Sequence, residues 1–449
     1  MKTKPFIGLL ALALLTACAT PPTPTPAQQV GLANPASAYC VEQGYKSEIR
    51  TAADGSQSGV CIFPDGSECD EWAYFRGECG PGGQTPSPTG RPPVTWMKSF
   101  EGANYGAFFD IVLTPDGNAL AVGATNHLHF PPYSGDALLM KLTLDGEALW
   151  EQTWGGDGYE QAWAAANAGD GGFYVFGETD SYGAGDRDFF LLKINQDGAE
   201  EWYRTYGHAK REWPFGMLQL SNGDLLVYGF TTSVTASERD QYALRVNPKG
   251  DIVWEYTVES AGEELVLNAI ELRDGNLVLA VNIAEDGKLV KLDADGNLQW
   301  EQRYELPGWQ YASQVVETDD GGFLLAGFAM SPSQQADTWL AHCDAAGKLE
   351  WEKSFGNPTI DDYAISLIQL RDGTYLVGGL GSGMPLTRLD KDGSVLWTRS
   401  LAGTRVHGAD ALVELEDGGF LIAGFIQISN GRSYDAILLR TDAEGRINE

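Results

Sequence analysis

A tryptophan recurs seven times in this chain at intervals near fifty residues, and that interval constrains the fold more than any other feature. The copies are Trp96, Trp150, Trp202, Trp254, Trp300, Trp351 and Trp397, spaced by 54, 52, 52, 46, 51 and 46 residues. Such a period fits four short strands with their turns and is too long for most helical repeats. Within each unit an apolar run leads through an Asp-Gly or Asn-Gly turn into a second run. Seven such turns occur: Asp116-Gly117, Asp170-Gly171, Asn222-Gly223, Asp274-Gly275, Asp320-Gly321, Asp372-Gly373 and Asp417-Gly418. Glycine after Asp or Asn accepts a positive φ, so each turn joins two antiparallel strands tightly. A third run follows, as at residues 188–193, then a second tight turn such as Gln196-Asp197-Gly198, then the tryptophan run. Apolar runs of this length bounded by Gly and Asp are strands, not helices.

The two ends of the repeat region complement each other. The last apolar run, residues 435–440, is followed by a turn at Gly445 and no tryptophan strand, whereas residues 94–100 (Val-Thr-Trp-Met-Lys-Ser-Phe) form a tryptophan strand without a blade. The expected fold is therefore all-β: a seven-bladed β-propeller over residues 94–449, closed by the N-terminal strand 94–100, with no sheet edge between first and last blade. The segment Asp-x-x-Gly-x-x-x-Trp, as in Asp293 to Trp300, resembles the repeats of quinoprotein-like and WD-like propellers. Tryptophans present in every blade are expected to wedge the blades apart; binding of sugar or cofactor is the alternative.

The first 93 residues have a different organisation. Lys2 and Lys4 precede an apolar run, residues 6–15, that is too short to span a membrane. Leu15-Thr16-Ala17-Cys18 resembles the lipobox of bacterial lipoproteins, which implies a signal peptide over residues 1–18 and a lipid on Cys18 as the membrane anchor. Ala19 is compatible with outer-membrane sorting in a Gram-negative cell. A Pro-rich linker, residues 19–32, stays extended. Cys40, Cys61, Cys69 and Cys79 lie within residues 33–80, a length that struggles to build its own core. In an exported protein they imply two disulfides, with three pairings open, and no Cys-x-x-Cys pair suggests zinc. Asn34-Pro35-Ala36-Ser37, Tyr39-Cys40, Gly59-Val60-Cys61, Phe63-Pro64-Asp65-Gly66, Glu71-Trp72 and Phe75-Arg76-Gly77 resemble a small bacterial lipoprotein domain of unknown function that carries a hemolysin label. No long apolar or amphipathic segment supports pore formation. A second Pro/Gly linker, residues 81–93, separates this domain from the propeller.

Acid outnumbers base 62 to 30, a net charge of −32, or −34 once the signal and its two lysines are removed. Such a field disfavours nucleic acid as a partner. A monomer is expected. Strand order places the tight Asp-Gly turns on one face and the longer loops on the other, where binding residues concentrate. That second face offers Phe130, Tyr133, Tyr182, Trp213, Trp309 and Tyr434 for a protein or glycan at the cell surface, unless these rings cap the core. His127, His129, His208 and His407 map there too. The first two sit next but one and can suit a metal if a strand presents both on one side, but His208 and His407 belong to other blades, so no metal site is expected. The turn at residues 293–297 is Asp-rich yet lacks the distant glutamate of a calcium loop. Cys343 is expected as a buried free thiol. No Gly-x-Ser-x-Gly, His-Glu-x-x-His or phosphate loop is present. Catalytic residues are not assigned; Asp110, Glu160, Asp362 and Asp410, near first strands, are the acids a propeller enzyme could use. A quinone-type dehydrogenase goes with eight blades and a calcium site, so no cofactor is expected. Together these features point to a non-catalytic surface lipoprotein whose propeller binds or scaffolds a protein or glycan at the cell envelope. The alternative is a glycoside hydrolase or lyase acting on extracellular polysaccharide.

Overall fold

A computed structural model of the 449-residue chain describes most of residues 37–74 and nearly all of 95–447. Residues 1–36 and 75–94 lie outside the description, as do short stretches that include 101–105, 126–134, 234–238, 259–262, 331–334, 357–360, 402–405 and 428–433. The chain divides into two compact units, Met1–Arg91 and Pro92–Glu449.

In the smaller unit, Lys46–Thr51, Gln57–Ile62 and Glu68–Asp70 form a three-stranded antiparallel sheet. Its core is four residues, Cys40, Cys61, Phe63 and Cys69, flanked by Tyr45 and Tyr74. So small a core needs a covalent staple, and Cys40–Cys61 supplies one. Cys69 is disulfide-bonded as well, while Cys79 and Cys18 lie outside the described residues. Glu71 is fully buried and accepts hydrogen bonds from the Ser37 and Ser47 hydroxyls.

The larger unit holds five four-stranded antiparallel sheets and one sheet of eight that contains two further sets of four. Each set is a blade, which makes seven among the described residues. Blade 1 comprises Ala107–Leu113, Ala119–Ala124, Ala137–Leu142 and Ala148–Trp154. The first strands of blades 2 to 7 are Glu160–Asn167, Glu212–Gln219, Glu264–Glu271, Gln310–Glu317, Tyr363–Gln369 and Val406–Glu414. Blades 6 and 7 merge because Leu380 to Ser382 also pair with the blade 7 first strand. Trp96–Phe100 pairs antiparallel with the final strand, Tyr434–Thr441, from Ala436↔Phe100 to Arg440↔Trp96. The last blade thus receives its fourth strand from the start of the unit. First strands touch from each blade to the next and from blade 7 back to blade 1. The circuit is closed.

The core lies between blades. One cluster joins Phe108, Ile111 and Leu138 of blade 1 to Leu421 and Leu438 of blade 7. Middle strands are covered on both faces, so Phe173–Thr179 and Asp188–Ile194 are buried throughout, whereas the outer strand Glu200–Tyr206 is mostly exposed. The repeated tryptophan acts as a wedge. Each one sits against the positive-φ glycine of the next blade's outer turn, from Trp96 on Gly146 to Trp397 on Gly445. Trp96, Trp150 and Trp254 also donate Nε1–H to carbonyls of that turn at 3.0–3.1 Å. Opposite each tryptophan in register stands a third-strand Lys, Arg or His: Lys141, Lys193, Arg245, Lys291, His342, Arg388 or Arg440. Each reaches the Asp that opens or follows its own blade's first turn, at 2.5–3.6 Å. In six of the pairs the acid is well exposed, and these contribute about 0–1 kcal/mol each, whereas both partners of Arg245–Asp224 are largely covered. Their effect is to hold the turn and the wedge in register.

Candidate functional site at the ring axis

Every first strand carries one β-bulge at the same step. A bulge inserts one unpaired residue and re-aims it. The residues set off are Phe109, Trp163, Phe215, Leu267, Ser313, Ile365 and Asp410, and because first strands are innermost they surround the axis. The aromatic members belong to blades 1–3. Phe109 stacks on Trp163 with centroids 4.9 Å apart, and Trp163 meets Phe215 edge-on at 6.2 Å. Leu267 joins Phe215, Trp213, Phe230 and Tyr311 in one apolar cluster. These side chains pack against one another on this side of the ring. Polar members, Ser313 and Asp410, come from blades 5 and 7. Two polar atoms here are buried without a hydrogen-bond partner, Trp163 Nε1 and Asp410 Oδ2.

The four candidate acids separate into different roles. Asp110 accepts from the backbone N–H of Ile111 at 2.8 Å and, across the blade junction, from Ala165 at 2.9 Å. Burial raises its carboxyl to about 6, against the pull of those two donors. Glu160 accepts from Thr179 Oγ1 and Gly156 N, and Glu212 repeats the arrangement in blade 3 with Thr231 and His208 N, so both are loop clamps. Asp362 donates its backbone N–H to Ala336 O. Asp410 alone keeps a carboxylate oxygen uncommitted, and burial pushes its carboxyl up to about 8.

At the long-loop end of blades 2 and 3 the aromatic cluster emerges beneath three arginines. Arg211 lies 4.0 Å over the Trp213 ring, Arg187 lies 5.0 Å over Tyr159, and Arg239 lies 5.3 Å over Phe230. Trp213 and Phe230 are parallel, with centroids 6.3 Å apart. Fully buried Glu178 faces two of the cations, Arg187 at 3.1 Å and Arg211 at 4.0 Å. Desolvation holds its carboxyl above the usual range despite both. Arg239 in turn lies 3.7 Å from Glu263, so each guanidinium of the layer has a carboxylate beside it.

The aromatics expected to form the binding face occupy separate surroundings. Tyr182 packs with Trp154 and Tyr203 and donates to Gly155 O. Trp213 belongs to the arginine cluster. Trp309 is 53% exposed. Tyr434 packs edge-on against Phe425 at 4.9 Å. Phe130, Tyr133, His127 and His129 lie outside the described residues, as does the His407 side chain, while His208 sits 3.7 Å from Glu255. Among the described residues no group of three or more His, Cys, Asp or Glu is placed to hold a metal. The turn at 293–297 uses Asp293 to accept the N–H groups of Asp295 and Asn297. Cys343 is a buried free thiol bonded to the Tyr304 hydroxyl, its ionisation pushed up to about 11 by burial.

With that geometry in place, comparison with known proteins becomes informative. Residues 136–377, more than half the chain, match the family described as outer membrane protein assembly factor BamB. The chain belongs to the BamB family. Residues 31–78 match the model described as Domain of unknown function (DUF333). Uncharacterized protein YoaF of Escherichia coli (strain K12) is 40% identical over 78 residues, 17% of this chain and 90% of that protein. Uncharacterized protein YdbJ of the same strain is 28% identical over 87 residues, 18% and 98% respectively. Among solved structures, "YCF48 bound to D1 peptide" covers 78% of this chain and 96% of its own, at 11% identity and a TM-score of 0.50. "Drosophila Plexin A in complex with Semaphorin 1b" covers 77% and 86%, at 10% identity and a TM-score of 0.49.

In this BamB-family propeller, the sequence reading named Asp410 but missed the other bulge residues and the three arginines. A signal for the first was present: aromatics occur mid-run in the first strands of blades 1–3 (Phe109, Trp163, Phe215), where later repeats carry Leu, Ser, Ile and Asp.

Proposed function

We propose that the chain is a lipid-anchored envelope protein, attached through Cys18, whose propeller binds a protein partner without catalysing a reaction. One observation carries the reading: the part-exposed guanidiniums of Arg211 and Arg239 over Trp213 and Phe230, backed by buried Arg187 over Tyr159. Guanidiniums on aromatic faces present planar donors and apolar surface together, and Trp, Tyr and Arg dominate protein-binding hot spots. A partner segment carrying carboxylates beside an apolar side chain suits this layer. The family is described as an outer membrane protein assembly factor, which supports an envelope location, and the similar YCF48 structure contains a peptide, which supports a protein over a glycan. The hydrolase or lyase alternative has one uncommitted acid in its favour, Asp410. It needs a second, and Asp110 already serves two backbone donors.

The test presents full-length, lipid-bearing protein to solubilised envelope proteins and, in parallel, to a glycan array. A stoichiometric protein partner is expected, with affinity at least about tenfold weaker for Arg211→Ala combined with Trp213→Ala. Recovery of glycans only, or a protein partner indifferent to both substitutions, contradicts the reading.

A further inference from the structure

Six of the seven junctions between blades are laced on the tight-turn face, at the ends of the first strands. Asn167 Nδ2 donates to Leu113 O at 2.8 Å, Gln219 Nε2 to Asn167 O at 2.9 Å, and Ser221 Oγ to Glu271 at 2.8 Å. Arg273 N donates to Glu317 at 3.2 Å, Gln369 Nε2 to Asp319 at 3.2 Å, and Arg371 N to Glu414 at 2.9 Å. The junction of blades 7 and 1, where the ring is sealed, departs from this. Glu416 precedes its Asp-Gly turn as Arg371 precedes its own, and Leu113 ends its strand as Glu414 does. An acid facing a leucine makes no link, and among the described residues no bond of this kind spans the seam.

A pocket of about 550 Å³ opens there, lined by Leu113, Pro115, Leu144, Leu415, Glu416 and Arg440. The matching crevice between blades 3 and 4, where Ser221 and Glu271 are bonded, measures about 190 Å³. Of these two, the seam pocket lies in the range of ligand sites, roughly 300–1,000 Å³, and the blade 3–4 crevice falls below it. Two groups in its lining are uncommitted. Arg440 uses Nη1 on Leu144 O and Nη2 on Asp417, yet its buried Nε has no partner. Exposed Glu416 has no ion-pair or hydrogen-bond partner among the described residues.

We propose that this seam pocket binds an extended segment of a partner polypeptide presenting an apolar side chain next to a lysine or arginine. Leu113, Pro115, Leu144 and Leu415 take the apolar side chain. Arg440 Nε–H donates to a peptide carbonyl, and Glu416 meets the cation, with Asp417 beside it. Charge complementarity selects the basic residue, because the protein carries a net −32. The site lies on the tight-turn face and is independent of the arginine layer at the long-loop end.

Fluorescence anisotropy of labelled Gly-Gly-Leu-Lys-Gly-Gly titrated with the full-length protein tests this. Saturable binding is expected, weakened about tenfold by Glu416→Lys. The double variant Leu113→Glu/Glu416→Arg rebuilds the link of the other junctions and should abolish binding while retaining a cooperative melt; Arg211→Ala should leave binding unchanged. The proposal is overturned by absence of saturable binding to the wild type. It is equally overturned if the double variant binds as tightly, or if Gly-Gly-Gly-Lys-Gly-Gly matches the leucine peptide.

Discussion

Asp410 is the one charged residue among the seven bulge positions, and its surroundings do not suit a charge. Its Oδ2 lies beside Gly408, and the Phe425 ring covers the same glycine. No donor compensates the buried oxygen. Its folded value of about 8 stands above the unfolded value of roughly 4, so the folded state holds the proton more tightly. This contribution to stability is fully present below about pH 4 and is lost as pH rises through about 8. Asp410→Asn should therefore melt close to wild type at pH 5 and at least about 3 °C higher at pH 9. Calorimetry of both proteins across that range checks the crossing, and equal melting temperatures at pH 9 would refute it. The residue was legible in the sequence only as one of several acids near first strands. Its isolation depends on a bulge, and a bulge is a register event between two strands that no single run of residues announces.

At the scale of elements, the turn glycines and the tryptophans form one device. Gly275 and Gly393 both have positive φ, at 80° and 72°, a region where a side chain costs about 1–2 kcal/mol. A methyl on Gly275 would meet nothing within 4 Å, whereas one on Gly393 would intrude into the Trp351 ring. Gly275→Ala should then lose only the backbone strain. Gly393→Ala should lose about 1–3 kcal/mol more, because the wedge between blades 5 and 6 must shift. Denaturant melts of the two variants measure the difference, and equal losses would remove the wedge from the account. The strands, both classes of turn and the role of tryptophan were readable from spacing, because each blade repeats the same local chemistry. The Lys, Arg or His opposite each tryptophan was also in the sequence, yet its meaning needed the register. Short connections in blades 4 and 6, where Ala284 and Met384 take positive φ, were not visible either.

For the whole molecule, what breaks the sevenfold pattern matters more than what repeats. Aromatic bulge residues gather in blades 1–3, arginines stand over blades 2 and 3, and the junction of blades 7 and 1 lacks its lace. Repetition made the architecture legible; both proposed binding sites lie in the departures, which look like ordinary variation until the ring brings them together. The account stands on closure of that ring by Trp96–Phe100, which pairs with Tyr434–Thr441 and sets Trp96 on Gly146 of blade 1. Without that strand the final blade exposes an unpaired edge and loses part of the blade 7–blade 1 cluster, which includes Trp96 and Phe100. The direct measurement compares chains beginning at residue 94 and at residue 101, by size-exclusion chromatography and thermal melting. The first should be a monomer with a single cooperative transition, and the second should aggregate or melt at least about 10 °C lower. Equal behaviour of the two would contradict the closed ring.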